Sequence, residues 1–180
     1  MADLSGKKIA VLATDYFEEA ELTEPVKALR EAGAQVDIIA PKSGEIKGLV
    51  HVDPGQSVKV DKTLDEADPD DYDALVLPGG AVNADHLRME KKARDFVTKM
   101  MDEQGKPTAV ICHAPWVLVS AGLARGKKLT SFFTIQDDMR NAGADWVDQE
   151  VVIDGNLITS RNPDDLPAFN KALINALESS

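Results

Sequence analysis

The chain of 180 residues contains a single cysteine, Cys112, so no disulfide can form within it. No stretch approaches the ~20 consecutive apolar residues that a transmembrane helix needs. The first residues also lack the apolar core of a secretory signal peptide. We therefore expect a cytoplasmic protein that keeps its one thiol reduced.

Basic residues are scarce relative to acidic ones. The 20 Lys and Arg residues against 31 Asp and Glu give a formal net charge of −11 at pH 7. A negative surface repels the phosphates of nucleic acids and anionic lipid headgroups. We therefore expect neither stable nucleic-acid binding nor membrane binding.

The motifs of several cofactor-binding classes are also missing. The sequence contains neither Gly-x-Gly-x-x-Gly nor Gly-x-x-x-x-Gly-Lys, the loops that hold dinucleotides and phosphates. Its three histidines and one cysteine do not have the spacing of a zinc site. We expect no metal ion and no organic cofactor.

What the chain does have is an alternation of apolar, strand-length runs with amphipathic helical segments. Continuous apolar runs are typical of strands buried on both faces of a parallel sheet, and they cover residues 9–13, 74–77 and 108–111. Residues 35–40 are predicted as a further strand. Helical patterns cover residues 19–32, 84–104, 115–121, 135–141 and the segment that begins at Pro163. The pattern predicts a single α/β domain over residues 1–180, with a mostly parallel sheet and helices on both faces.

Two departures from this alternation are predicted as hairpins. Short strands at residues 49–52 and 57–60 lie around Pro54-Gly55. Strands at residues 150–153 and 157–159 flank the turn-forming residues 154–156.

The candidate chemistry lies where three predicted strands end. In open α/β sheets, ligands bind beyond the carboxyl ends of the strands. The three strands lead into the acidic residues 15–21, into Pro78-Gly79-Gly80 and into residues 112–115 (CHAP). If the strands are neighbours, a carboxylate, a glycine backbone and a thiol converge.

Cys112 follows a buried strand directly and precedes a helix. The free N–H groups and the dipole at a helix start favour the thiolate, and a sharp strand-to-helix turn is the geometry of a nucleophile elbow. Backbone N–H groups of His113 and of Gly79 and Gly80 could form an oxyanion hole. Position alone leaves a buried structural cysteine as an equal alternative.

Four side chains near these strand ends are further candidates. The His113 ring could approach the thiol across the turn or orient a substrate. Glu18 and Glu21, three residues apart, share a helix face, and a partly buried glutamic acid could exchange a proton with Cys112. The helix dipole alone also explains acidic residues there. Trp116, in the first turn after the elbow, is interpreted as a wall of the cleft.

Taken together, these segments resemble the PfpI family of the ThiJ/PfpI superfamily, whose fold is related to class I glutamine amidotransferase domains. The similarity extends over nearly the whole chain, and no single segment carries it alone. The segments are residues 15–22 (DYFEEAEL), 73–80 (DALVLPGG), 109–115 (AVICHAP), 137–139 (DDM), 141–143 (NAG), 148–152 (DQEVV) and 159–161 (TSR).

The resemblance implies a flavodoxin-like three-layer sandwich that assembles as a homodimer or a larger homo-oligomer. It also implies that Cys112 is the nucleophile, that His113 is the histidine following it, and that Glu21 is the glutamate contacting the thiol. Glu18 matches a second acidic position nearby.

The sequence departs from the family pattern at three positions. In the PfpI branch, a glutamate of the neighbouring subunit is proposed to complete a triad with the histidine, and here Asp85 falls at that place. Ala114 stands where the family usually has glycine, and Trp116 replaces a frequent glutamine. We expect the changes at Ala114 and Trp116 to narrow or reshape the mouth of the site, which counts more against peptides than against small aldehydes.

The resemblance implies a stress-response enzyme that acts on reactive carbonyls or on their early adducts with proteins or nucleotides. In this interpretation Cys112 attacks the carbonyl carbon, Glu21 carries the proton, and backbone N–H groups near Gly80 and His113 stabilise the oxyanion, while Asp85 assists His113. Two alternatives remain open. One is an intracellular peptidase or amidase with an intersubunit Cys-His-Asp triad. The other is a redox sensor or chaperone-like stress protein whose thiol oxidises to sulfinic acid.

Overall fold

The computed structural model describes all 180 residues. It contains twelve strands: β1 (Lys8–Leu12), β2 (Phe17–Glu18), β3 (Gln35–Ala40), β4 (Glu45–Val50), β5 (Asp53–Lys59), β6 (Lys62–Thr63), β7 (Ala74–Leu77), β8 (Thr108–Ile111), β9 (Lys128–Leu129), β10 (Asp145–Trp146), β11 (Val152–Asp154) and β12 (Leu157–Ser160). Its six α-helices are α1 (Glu19–Glu31), α2 (Ala81–Leu87), α3 (Lys91–Thr98), α4 (Pro115–Ser120), α5 (Gln136–Asn141) and α6 (Leu166–Glu178). None of these helices is both long enough and apolar enough to cross a membrane.

Seven strands form the central sheet in the order β11-β12-β8-β7-β1-β3-β6. Every neighbouring pair is parallel except β11 and β12, which form the predicted hairpin. Helices α1 and α6 bury one apolar cluster against the first face, while α2 to α5 bury a second cluster against the other. The predicted three-layer α/β sandwich is therefore confirmed, and its flavodoxin-like arrangement follows from this strand order.

The strand order brings three functional strand ends together. Strands β8, β7 and β1 are direct neighbours in the sheet and run parallel. Their carboxyl ends therefore open on the same edge. The thiol, the glycine turn and the acidic segment meet there, as the sequence predicted.

The first hairpin has different bounds from those predicted. Strands β4 and β5 pair antiparallel and join β2 in a separate three-stranded sheet. The turn lies at His51-Val52, where His51 has a φ of 57°, and not at Pro54-Gly55. Pro54 sits inside β5 opposite Leu49. An edge strand tolerates proline because its outward position needs no N–H donor.

The single helix predicted over residues 84–104 is wrong. The structure divides this segment into α2 and α3, and a wider π turn over Lys99–Glu103 follows. The guanidinium of Arg94 donates to the carbonyl of Arg88 (2.8 Å) and so satisfies an acceptor that the break exposes. The π turn buries the consecutive Met100 and Met101. No glycine or proline marks either feature, so helical periodicity could not reveal them.

Candidate active site

A cleft of about 740 Å³ opens at the shared edge of β1, β7 and β8. Five of the residues predicted from sequence line it: Glu18, Glu21, Gly80, Cys112 and His113. The other three, Gly79, Asp85 and Trp116, lie outside its lining. Since loops after three adjacent strands supply the walls, the folding of the sheet itself brings these residues together.

Cys112 occupies a strained turn between β8 and α4. Its φ of 65° lies in the left-handed region, which non-glycine residues rarely adopt. Two backbone hydrogen bonds hold it there: its N–H donates to the carbonyl of Ser160 (3.0 Å), and its carbonyl accepts from the N–H of Phe132 (2.8 Å). Such strain persists only where the surroundings fix it, and it occurs often at active sites. The turn has the geometry of the predicted nucleophile elbow.

The two glycines after β7 leave room for the thiol and its carboxyl neighbour. A Cβ on Gly79 would overlap Oε1 of Glu21 and lie 2.6 Å from Cβ of Cys112. Gly80 has a φ of 95°, and a Cβ there would lie 2.6 Å from the carbonyl oxygen of Tyr16. Both positions therefore require glycine, because any side chain would displace the groups that form the site.

Asn83 fixes this glycine turn from behind, a role that no sequence motif predicted. Its side chain is fully buried and donates to the carbonyls of Pro78 and Gly79, both at 3.0 Å. Its Oδ1 accepts from the N–H of Thr14 (2.7 Å), just after β1. One amide thus ties together the ends of β7 and β1. Only its position three residues after Gly80 hints at this role.

Glu21 points into the cleft from α1 and is 0% exposed. Neither of its carboxyl oxygens has a partner of regular hydrogen-bond geometry. Burial, reinforced by the negative charge of Glu18, raises its pKa to about 8 despite the opposing effect of the Cys112 thiol and the Gly79 N–H. Glu21 therefore keeps its proton at neutral pH and can act as an acid there.

The thiol of Cys112 is also strongly perturbed. Burial and the carboxyl group of Glu21 raise its pKa, whereas the N–H groups of Gly80 and His113 act in the opposite direction. The net direction is upward, so the lowered pKa predicted from the helix start is wrong. Helix α4 has only six residues and offers a weak dipole, and it does not offset the burial of the sulfur. The N–H groups of Gly80 and His113 face the sulfur, where they favour the thiolate.

The His113 ring faces the thiol despite being adjacent in sequence. Its Nδ1 lies 3.2 Å from Sγ of Cys112, and the ring stacks on Phe132 with centroids 4.7 Å apart. Burial lowers the pKa of His113, so the imidazole is neutral at neutral pH. A neutral ring at this distance can accept the thiol proton.

Trp116 does not form a wall of the cleft, which corrects the prediction. Its ring packs edge-on against His113 at 5.3 Å, and its Nε1 donates to Asp138 (2.8 Å). The guanidinium of Arg88 covers the ring at 5.2 Å from its centroid. Trp116 thus supports His113 from behind, and its hydrogen bond to Asp138 holds the ring outside the cleft.

Asp85 lies on α2 with its side chain exposed. It borders a shallow neighbouring pocket together with His86 and Lys42, outside the cleft around Cys112. Within one chain, His113 therefore has no carboxylate partner. A role for Asp85 at the site depends on a second copy of the chain.

The acidic segment before and in α1 also holds the β4–β5 hairpin over the cleft. Its carboxylates accept backbone N–H groups of the hairpin in three pairs: Asp15 with Lys47 (2.9 Å), Glu18 with His51 (3.1 Å) and Glu19 with Gln56 (2.6 Å). From the sequence, Glu18 and Glu19 were predicted only as acidic residues of a helix start and Asp15 as part of an acidic strand end, and neither pattern indicates this function. The N–H groups that these carboxylates accept belong to residues 32 to 37 positions later in the chain, so no local sequence pattern reveals the contacts.

The family model described as "DJ-1/PfpI family" matches residues 7–176. The chain belongs to the DJ-1/PfpI family. Within it, the chain is 46% identical over 171 residues to "Deglycase PfpI" of Pyrococcus furiosus, covering 95% of this chain and 99% of that protein. It is 47% identical over 179 residues to "Protein/nucleic acid deglycase 2" of Escherichia coli, covering 96% and 98%.

Solved structures of the DJ-1/PfpI family agree with this assignment. The structure of Drosophila melanogaster DJ-1beta superposes with a TM-score of 0.87 at 29% sequence identity. The match covers 100% of this chain and 92% of that one. No group of three or more His, Cys, Asp or Glu side chains is placed to hold a metal ion. A thiol, an imidazole and a carboxyl group are the reactive side chains that meet in the cleft.

Proposed function

We propose that this protein is a cysteine-dependent deglycase that also converts free reactive aldehydes such as methylglyoxal. One observation carries the proposal: Sγ of Cys112 faces a neutral imidazole at 3.2 Å, and the buried carboxyl group of Glu21 lies beside it. The names of the relatives from Pyrococcus furiosus and Escherichia coli support the same activity. A free thiol is essential to it, so we place the enzyme in the reducing cytoplasm.

The first step transfers the carbonyl fragment from an amine to the thiol. In an early adduct, an amine nitrogen is bonded to the former aldehyde carbon, which also carries a hydroxyl group. Sγ of Cys112 attacks this carbon, the C–N bond breaks, and the thiol proton reaches the leaving amine through His113. The free amine leaves, and a hemithioacetal remains on Cys112. With a free aldehyde, the thiol adds to the C=O bond and gives the same species.

The second step releases the fragment as a hydroxy acid. A proton moves from the former aldehyde carbon to the adjacent carbon through an enediolate, which turns the hemithioacetal into a thioester without any external oxidant. Glu21 holds a proton at neutral pH because its pKa is about 8, so it first donates that proton to the substrate fragment and then accepts the proton that leaves the former aldehyde carbon. The N–H groups of Gly80 and His113 stabilise the oxyanion. Water then hydrolyses the thioester, which yields lactate from methylglyoxal and restores the thiol.

The test compares the wild type with Cys112→Ala and Glu21→Gln. Lactate formation is measured with methylglyoxal, and amine release is measured with methylglyoxal-treated Nα-acetylarginine amide. A scavenger of free methylglyoxal in the second assay separates action on the adduct from removal of dissociated aldehyde. We expect Cys112→Ala to lose at least about 1,000-fold and Glu21→Gln about 100-fold in kcat/KM. Undiminished turnover by Cys112→Ala would refute the proposal.

We also propose that the enzyme works as a homodimer or a larger homo-oligomer in which Asp85 of one subunit reaches His113 of another. The observation behind this is that His113 has no carboxylate partner within its own chain, while Asp85 is exposed on α2. A carboxylate there would orient the imidazole. The same contact would complete the triad of a peptidase. Peptide cleavage that depends on both Cys112 and Asp85, with no amine release from adducts, would favour that alternative.

A further inference from the structure

Asn83, on α2, holds two consecutive peptide groups of the glycine turn at residues 78–80. The nitrogen of its side-chain amide carries two hydrogens and donates to the carbonyls of Pro78 and Gly79, both at 3.0 Å. Its Oδ1 accepts the N–H of Thr14 at 2.7 Å. The side chain is 0% exposed, so these hydrogen bonds are shielded from water.

The same two peptide groups direct their N–H groups at the reactive side chains. A trans peptide group points its carbonyl and its N–H in opposite directions, and the chain has no cis peptide bond. The first carbonyl that Asn83 holds shares its peptide group with the N–H of Gly79, which faces the carboxyl group of Glu21. The second shares its peptide group with the N–H of Gly80, which faces the thiol of Cys112. Asn83 therefore sets the direction of both donors.

The turn needs such a support because two of its residues are glycines. Glycine has no side chain to restrict its dihedral angles, so an unsupported peptide group here is free to rotate. The carbonyl of Pro78 accepts a hydrogen bond from Asn83 alone. The carbonyl of Gly79 accepts one more, from the N–H of Glu18 at 3.1 Å. Without Asn83, the first peptide group loses its anchor and the second keeps one of two.

We propose that Asn83 is a positioning residue of the reaction, which aims the backbone donors of the glycine turn at Glu21 and at the thiol of Cys112. Asn83 hydrogen-bonds to neither of these groups, so it acts only through the turn. Its effect on turnover rests on the proposed function, in which Cys112 attacks and Glu21 exchanges protons. Its effect on the reactivity of the thiol does not.

Losing these donors has the opposite consequence to loosening the fold. Burial raises the pKa of both reactive groups, and the two N–H groups act against it. Removing the donors therefore raises both pKa values further. A role in packing alone predicts the reverse, because a loosened turn admits water, relieves the burial and lowers both pKa values. The other ionisable side chains facing this pair are Glu18 and His113, and neither side chain hydrogen-bonds to Asn83.

The experiment compares Asn83→Ala with the wild type in two assays. The first measures the rate constant for alkylation by iodoacetamide at pH 7, where Glu21 keeps its proton. It reports on Cys112 alone, because the chain has no other cysteine. The second measures the alkaline limb of kcat/KM with methylglyoxal. We expect alkylation to be about tenfold slower, and the limb to lie about half a pH unit higher, than in the wild type.

The matched control is Asn156→Ala. The amide of Asn156 also donates to two backbone carbonyls, those of Met101 (2.8 Å) and Lys106 (2.9 Å), but it directly precedes β12 and lies at the amino ends of the strands. We expect this variant to lose stability and to keep the alkylation rate and pH profile of the wild type. A second variant, Asn83→Ser, has a hydroxyl that can replace one donor. It is expected to show a smaller change in the same direction, and it carries the test if alanine prevents folding.

The outcomes separate this inference from the proposed function. Alkylation that is unchanged or faster in the Asn83 variants, or an alkaline limb that moves to lower pH, would overturn the positioning role. An equal change in Asn156→Ala would assign the effect to a general loss of stability and would overturn it too. A wild type that does not turn over methylglyoxal would refute the proposed function, and the alkylation rates would still decide the role of Asn83.

Discussion

Sγ of Cys112 lies 3.2 Å from Nδ1 of His113, the next residue in the chain. Adjacent side chains usually diverge, and these two meet because Cys112 has a φ of 65°. The same turn directs the thiol towards Gly80 and Glu21. One strained residue therefore gives the sulfur both a base and an acid, and the pH dependence of the enzyme should report on both.

The rate should follow a bell-shaped pH profile. His113 must be neutral to accept the thiol proton, and burial lowers its pKa, so the acid limb of kcat/KM should fall below pH 6.5. Glu21 must keep its proton to act as an acid, so the alkaline limb should fall near pH 8. Steady-state lactate formation from methylglyoxal between pH 5 and 10 measures both limbs. A rate that rises steadily to pH 10 would contradict the assignment of Glu21.

Replacing Glu18 by glutamine should move the alkaline limb to lower pH. The charge of Glu18 helps to raise the pKa of Glu21, whereas a glutamine oxygen can still accept the N–H of His51. The matched control is Glu19→Gln, which alters a similar contact with the hairpin but does not contribute to the pKa of Glu21. The pH profiles of the two variants are compared with that of the wild type. An alkaline limb displaced equally in both would point to the hairpin instead of to the charge.

The stability of the protein should also depend on Glu21. Its pKa is about 8 in the folded state against an ordinary value of 4.5, so between these pH values the native state binds one more proton than the unfolded state. Stability from this residue is complete below about pH 4.5 and is lost as the pH rises towards 8. Glutamine does not ionise, so Glu21→Gln escapes this loss. As the pH rises from 5 to 8, the free energy of unfolding of Glu21→Gln should therefore increase relative to that of the wild type, by about a few kcal/mol from the size of the pKa shift.

Urea unfolding at pH 5, 6.5 and 8 measures this difference. The control is Glu24→Gln, an exposed position on the same helix, for which the difference from the wild type should stay constant. If Glu21→Gln also differs from the wild type by the same amount at all three pH values, Glu21 titrates normally and the proposed proton carrier is wrong.

Mixing two inactive variants should restore activity if Asp85 acts between subunits. Cys112→Ala lacks the nucleophile but keeps Asp85, and Asp85→Asn has the opposite defect. Subunits exchanged at equal amounts should place a complete site at about a quarter of all positions. Lactate formation by the mixture is compared with that of each variant alone, after refolding together. Activity no greater than the mean of the two separate variants would contradict an intersubunit role.

The parts of the site that the sequence predicted are those that depend on local sequence pattern and on the order of the strands. Apolar runs of strand length identified β1, β7 and β8, and the rule for ligand sites at strand ends then located Cys112, Gly80 and Glu21. The elbow followed from a cysteine between a strand and a helix. These features depend on neighbouring residues in the chain, so sequence patterns could reveal them.

The parts that could not be predicted depend on distant contacts. Asn83 looks like an ordinary polar residue until the end of β1 lies beside the glycine turn. Trp116 turns away from the cleft because Asp138, 22 residues later, accepts its N–H group. The raised pKa of Cys112 results from burial and from Glu21, neither of which a helix start indicates. In each case packing between remote segments outweighs the local signal.

The most direct test of the central claim is a single-turnover experiment that follows both the amine and Cys112. Excess enzyme is mixed with the methylglyoxal adduct of Nα-acetylarginine amide, and rapid quenching is followed by mass spectrometry of the free amine and of the peptide that contains Cys112. The account predicts that the amine appears as a three-carbon adduct forms on Cys112, that this adduct then decays to lactate, and that Cys112→Ala shows neither. Release of the amine by Cys112→Ala at the wild-type rate would contradict it.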